Sequence, residues 1–176
     1  MSGRLARLGK VAGAVAATAG LGGLASSEVR TDWYAALEKP YFQPPDAAFP
    51  VAWTTLYTDI ALTAAHALDR LERSGRTDEA AAYRRALAAN LAVNAAWSWV
   101  FFRWHRLGPA VGVAGLLTLS SADLVRRTAR VSKPAAVALA PYPLWCGFAT
   151  VLSDAIYRRN RSRQVAPVGT VSARCR

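Results

Sequence analysis

Cysteine and histidine are almost missing from this chain, with two of each in 176 residues. Cys146 falls inside an apolar span and Cys175 near the C-terminal end, so they form no metal or redox motif. Cys146 reads as a small buried hydrophobe. His66 lies towards the end of an apolar span and His105 in a turn, and lone histidines so placed are surface or capping residues rather than haem ligands. No metal site and no obligatory cofactor follow from these residues. Acidic residues are scarce as well, 11 Asp and Glu against 22 Lys and Arg. They build neither a general acid–base pair nor a nucleophile triad, so the only chemistry left open is chemistry carried by the indoles themselves. No internal repeat is present.

The basic excess first suggests a nucleic-acid partner, but its arrangement excludes one. The basic residues collect in short clusters, Arg4/Arg7/Lys10, 70–85, 126–133 and 158–163, between long spans with almost no charge. Basic flanks around apolar spans describe an integral, multi-pass membrane protein. A hydrophobic fraction of 53% with six tryptophans agrees, and 176 residues suit one domain. The spans are 11–27, 47–68 (broken by Asp59), 86–102, 107–122 and 134–153. Each approaches the roughly 17–25 residues that a tilted membrane helix needs. Alanine dominates three of them, so the residues alone give three to five crossings. The first span has a rival reading. Its basic start, apolar core and Ala25-Ser26-Ser27 would also serve as a secretory signal peptide, whereas Gly9-x-x-x-Gly13 favours close helix packing in lipid.

The most informative stretch is Trp33-Tyr34-x-x-Leu37-x-Lys39-Pro40-x-x-x-Pro44-Pro45-x-x-x-Phe49-Pro50-x-x-Trp53-x-x-Leu56-Tyr57. Its prolines fix backbone angles and remove donors, so the part before Trp53 cannot be helical throughout. Beyond it, Phe49, Trp53 and Tyr57 recur every four residues on one helix face. A proline-stiffened loop thus leads into an aromatic helix, an arrangement that suits a lid over a pocket.

That stretch resembles the loop-to-second-helix signature of the TspO/MBR family, the tryptophan-rich sensory proteins and translocator (peripheral benzodiazepine receptor) proteins. Asn90-x-x-x-Asn94-x-x-Trp97-Ser98-x-x-Phe101-Phe102 resembles the family's third helix. Pro141-Tyr142-x-x-Trp145-x-x-Phe148-Ala149-Thr150 and its continuation to Asn160 resemble the fifth. The resemblance implies an all-α bundle of five membrane helices, near 8–27, 48–69, 80–104, 107–127 and 134–158, in a domain of residues 1–160. A lid joins the first two helices, and a basic, disordered tail follows at 161–176. An odd helix number argues against a simple inverted-repeat transporter. Pro143, Ser153 and Asp154 depart from the family pattern.

Polar residues inside membrane spans are costly and need a reason. Asn90 and Asn94 sit one turn apart, with Trp97 and Phe101 continuing their stripe. That face offers either helix–helix hydrogen bonds or polar contacts beside a stacking surface; the resemblance puts Asn94 in the ligand pocket. Trp145, Phe148, Ala149 and Leu152 share a face of the fifth helix. Asp59 falls mid-span and must face the interior or a partner, whereas Asp123 can pair with Arg126 or Arg127. The candidate ligand-binding set is Trp33, Tyr34, Pro44, Pro45, Phe49, Trp53, Tyr57, Asn90, Asn94, Trp97, Ser98, Trp145, Phe148 and Ala149. Three aromatic faces under a stiff lid suit a flat hydrophobic ligand. Porphyrin, haem or sterol fits that description, and the resemblance implies tetrapyrroles. A sterol-type pattern across Leu152, Tyr157 and Arg159 matches many helix ends, and an interfacial aromatic beside arginines is the plainer account.

The expected function is a porphyrin-binding sensor or receptor that regulates tetrapyrrole metabolism or a stress response. The alternatives are a porphyrin transporter, a protoporphyrin-degrading enzyme using Trp53 and Trp145, and a lipid-binding scaffold. Ala88, Ala92 and Ala96 form a ridge of small residues that suits a homodimer. Orientation is undecided, with twelve basic residues on the N-terminal side against ten on the other. The alanine and arginine content points to a bacterial cell membrane.

Overall fold

The computed structural model describes residues 2–165, with side chains over 7–162. Helix α1 spans Ser2–Ser26, and a 3-10 turn at Ser27–Arg30 leads to the short α2, Asp32–Ala35. Then follow α3 (Ala48–Arg73), α4 (Thr77–Ser98) with a π turn at Trp99–Arg103, α5 (Leu107–Ala129), α6 (Lys133–Leu139) and α7 (Pro141–Val165). No strand occurs among the described residues. The long helices, α1, α3, α4, α5 and α7, have 22 to 26 residues each.

Local chemistry sets the boundaries. Pro50 is tolerated in α3 because it stands in the first turn, where amides lack intrahelical partners. The α3–α4 turn ends on Gly75 at φ +70°, with the Arg76 and Gly75 amides donating to Leu71 and Glu72 carbonyls. That is a Schellman stop, and it needs a left-handed residue at this position. Thr77-Asp78-Glu79 then opens α4 with acids on the positive helix end. Arg76, just before α4, grips Glu79 through two nitrogens and holds its carboxyl below the ordinary range. Ser132 caps α6 by accepting the Ala135 amide, with Pro134 in the first turn.

Several expectations shift here. The last expected helix is two pieces, because Pro141 has no amide proton to continue the ladder from α6. The third closes on a π turn rather than running straight to 104. Helix α7 continues to Val165, so the expected tail begins as helix; its remainder, and Cys175, lie outside the described residues. The short α2 and the divided last rod take the helix count beyond five. Three segments, Arg7–Arg30, Leu107–Ala129 and Lys133–Ser162, are long and apolar enough to cross a membrane.

Helix α1 packs on α3 and α4, α4 on α5, α5 on α6 and α7, and α3 on α6. Leu24, Leu116, Leu119, Val137, Leu144 and Val151 point outward and are more than half exposed, a distribution that suits lipid rather than water. One core lies among α1, α3, α4 and α5 with Leu139 of α6 and Tyr142 and Cys146 of α7, and a second gathers Tyr34, Trp97, Val100, Phe101, Leu152 and Ile156. Trp53 packs against both. At the N-terminal end of α1, Arg7 joins Asp69 at 2.5 Å and Glu72 at 2.7 Å, tying α1 to α3. Gly9 and Gly13 do not make the expected close contact: a side chain at either would meet nothing within 4 Å. The close approach on α1 is at Gly22, where an added Cβ would come within 3.3 Å of Ser98 Oγ.

Candidate functional site

Where the two cores meet, a cavity of about 580 Å³ opens between α1, α3, α4 and α7, beneath the 27–47 connection. Helix α3 brings Phe49, Trp53 and Tyr57 to it at the one-turn spacing seen in the sequence. Helix α4 and its π turn bring Trp97, Ser98, Phe101 and Phe102, and α7 brings Trp145 and Ala149. The rings form two groups: Trp53 lies 5.5 Å from Tyr57 and 6.4 Å from Trp97, and, separately, Phe49 meets Trp145 edge-on at 6.1 Å. Tilted and edge contacts of this kind are favoured in aromatic packing. The buried indole N–H groups of Trp97 and Trp145 have no hydrogen-bond partner among the described residues.

Polar groups crowd the end under the connection. Ser26, Ser27, Arg30, Gln43 and Asp46 line it together with Tyr34. Gln43 Nε2 donates to the Tyr34 hydroxyl and to Asp46, each at 3.4 Å. Burial, and then the nearby Asp46 carboxylate, push the Tyr34 hydroxyl up to about 12, so it stays neutral. The cavity is therefore apolar and aromatic in its body and polar at one end.

Of the expected set, Tyr34, Phe49, Trp53, Tyr57, Trp97, Ser98, Trp145 and Ala149 line this cavity. The others stand behind it. Trp33 stacks on His105 at 3.8 Å, 16° from parallel, and meets Phe101 edge-on. Phe148 packs between Trp145 and Phe42. The Pro45 carbonyl accepts the Ala48 amide, and neither Pro44 nor Pro45 reaches the cavity wall.

Asn90 and Asn94 are also off the wall, at 0% and 1% exposure. The Tyr57 hydroxyl donates to Asn94 Oδ1 at 2.8 Å, and Asn94 Nδ2 donates to the Tyr142 hydroxyl at 3.2 Å. Tyr142 in turn donates to Asn90 Oδ1 at 2.8 Å, and Asn90 Nδ2 to Ser120 Oγ at 2.7 Å. Both amides are thus spent on a relay joining α3, α4, α5 and α7. Helix–helix bonding accounts for them; Asn94 touches the cavity only through Tyr57.

Asp123 pairs with both Arg126 and Arg127, and Asp154 with Arg158 at 2.8 Å. Asp59 is half-buried and makes no ion pair among the described residues. No three His, Cys, Asp or Glu among those residues are grouped to hold a metal ion. The sequence reading missed the α1 wall of Ala19, Gly22, Gly23 and Ser26 and the polar end at Arg30 and Gln43. The α1 wall had a signal, since small residues recur there at helical spacing.

The fold and cavity together define a helical membrane protein with an aromatic pocket. A family model described as the TspO/MBR family matches residues 11–158, and the chain belongs to that family. It is 36% identical to the tryptophan-rich sensory protein of Cereibacter sphaeroides over 77% of this chain and 81% of that one. It is 34% identical to protein CrtK of Rhodobacter capsulatus, over 73% and 78% of the two chains. It is 35% identical to the translocator protein of Homo sapiens, over 73% and 75%. Membership supports a role in membrane sensing or translocation.

Proposed function

We propose that this protein is a five-crossing membrane receptor that binds porphyrins or similar planar hydrophobic molecules, and that it thereby regulates tetrapyrrole metabolism or a stress response. One observation carries the reading: a single cavity bordered by Trp53, Trp97 and Trp145. Its volume falls within the roughly 300–1,000 Å³ of small-molecule sites, and its faces are rings. Stacking and enclosure are the interactions that such walls supply, and a tetrapyrrole offers a large flat face to both. In this reading the 27–47 connection is the lid. Asn94 acts by orienting Tyr57 rather than by touching the ligand, and the polar end of the cavity takes the ligand's polar substituents. The protein works as a homodimer in a cell membrane, with lipid or a sterol-like molecule as a second class of occupant.

Titrating protoporphyrin or haem into the purified protein tests this directly. Saturable quenching of tryptophan fluorescence is expected, and its absence would remove the reading. Because both Trp53 and Trp145 border the cavity, indole-mediated degradation of a bound porphyrin is the second reading. Loss of pigment under illumination would favour it, and counter-flow in proteoliposomes would favour translocation.

A further inference from the structure

We infer that the cavity is filled from the side, through the slot between α1 and α3, by molecules already dissolved in the bilayer. The 27–47 connection is then a fixed roof rather than the door. This inference rests on the binding reading above and concerns the route into that same cavity.

The cavity has two exposed edges, a polar one at Ser27, Arg30 and Asp46 of the connection and a less polar one on those two helices. Gly23 of α1 and Pro50 and Thr54 of α3 all line the cavity and are all exposed. Pro50 and Thr54 are one turn apart, beside the inward-facing Trp53 and Tyr57. On α1, Ala19, Gly22, Gly23 and Ser26 present backbone where the other helices present rings. A Cβ added at Gly23 would meet nothing within 4 Å, so this position looks into open space at the cavity's edge.

The ties between helices point the same way. The polar links from α1 to α3 sit at the far end, where Arg7 meets Asp69 and Glu72. Beside the cavity, no hydrogen bond or ion pair joins α1 to α3 among the described residues. There α1 is held to the end of α4 instead, with Trp99 Nε1 donating to the Leu21 carbonyl at 3.2 Å. At this end the two helices are joined only through the 27–47 connection, so they can part beside the cavity without breaking a bond between them, and an outward shift of α1 costs the single Trp99–Leu21 bond.

The roof, in contrast, is fastened at several points. Asn160 of α7, 1% exposed, accepts the Glu38 amide proton and donates to the Glu38 carbonyl, each at 3.0 Å. Trp33 is stacked on His105, Phe42 meets Phe148, and Lys39 Nζ sits 3.9 Å over the Tyr34 ring. Lifting the roof breaks this double hydrogen bond and these ring contacts, whereas parting the slot breaks none of them.

Depth settles which phase the slot meets. Gly23 lies roughly 7 Å from the middle of the Arg7–Arg30 span at 1.5 Å rise per residue. That is within the roughly 15 Å half-thickness of the hydrocarbon. The ligand class is therefore one that partitions into lipid before it binds.

Stopped-flow quenching with protoporphyrin, on protein in liposomes, tests the route with Gly23→Leu and Asn160→Ala. Gly23→Leu should slow association and dissociation together, by about tenfold or more, while Asn160→Ala leaves association at the parent rate. Thr54→Trp, on the opposite edge, makes the same test should Gly23→Leu fail to fold. Parent rates in both slot variants, or faster association in Asn160→Ala, would overturn the side route. So would faster dissociation alone in Gly23→Leu, which marks a mere contact. Absence of any quench in the parent protein removes the binding reading and the route with it, and is distinct from quenching at unchanged rates.

Discussion

Tyr142→Phe is the sharpest probe of how the helices around the cavity are held. The substitution keeps the ring, which is 0% exposed, and removes only a hydroxyl. That hydroxyl accepts from Asn94 and donates to Asn90, so its loss breaks two bonds and leaves one amide donor and one amide oxygen without partners. Both asparagines are at most 1% exposed, and water cannot reach the orphaned atoms. An interhelical hydrogen bond in lipid contributes about 0.6 kcal/mol on average and about 1.7 at most; a buried unsatisfied group costs about 1–3 kcal/mol. Because water is shut out here, the upper part of the lipid range applies, giving about 2 kcal/mol for the pair of bonds. Tyr57→Phe breaks one bond at the cavity's edge and should cost about half as much. Unfolding in detergent, by heat or by denaturant titration, measures both. A Tyr142→Phe protein as stable as its parent, or no less stable than Tyr57→Phe, would refute the relay. Asn94→Ala belongs to the same test: the relay predicts that it loses stability first, whereas lost affinity at unchanged stability would return Asn94 to direct ligand contact.

Three further expectations follow from other parts of the molecule. Gly75→Ala, at φ +70°, should lower stability by about 1 kcal/mol, whereas Gly23→Ala has room and should not; thermal unfolding compares them. Ala88, Ala92 and Ala96 lie on the exposed face of α4, so Ala92→Trp should turn dimers into monomers on light-scattering chromatography; an unchanged dimer rejects this interface. Single cysteines along α3 and α4, which are less apolar than the three clear spans, should resist aqueous thiol reagents in mid-helix, and full labelling there would rule out five crossings.

Much of the cavity was legible because its residues are regularly spaced. Phe49, Trp53 and Tyr57 recur at one turn, and all three line the wall. The prolines marked where α3 could begin, and it begins at Ala48. Other parts depend on partners that only tertiary structure supplies. Asn90 and Asn94 read as one polar face, but Ser120 and Tyr142, which satisfy them, come from two other helices. The break between α6 and α7 was written in Pro141 but lay hidden in a continuous apolar span. On α1, Gly9 and Gly13 drew attention as a packing motif, yet Gly22 makes the close approach and Gly23 edges the cavity. Glycine spacing says that helices can come close; it does not say on which turn they do so.

The claim that Trp53 and Trp145 form the ligand's faces is tested most directly by titrating protoporphyrin into the parent, Trp53→Ala, Trp145→Ala and Trp104→Ala proteins. Each cavity tryptophan presents a large ring to the ligand, and losing such a face removes about 1–3 kcal/mol of apolar burial, or about ten- to a hundred-fold in affinity. Trp104 is 59% exposed and lies off the cavity, so its variant should bind almost as the parent does. Parent-like affinity in both Trp53→Ala and Trp145→Ala would contradict the account and put the ligand elsewhere on the protein.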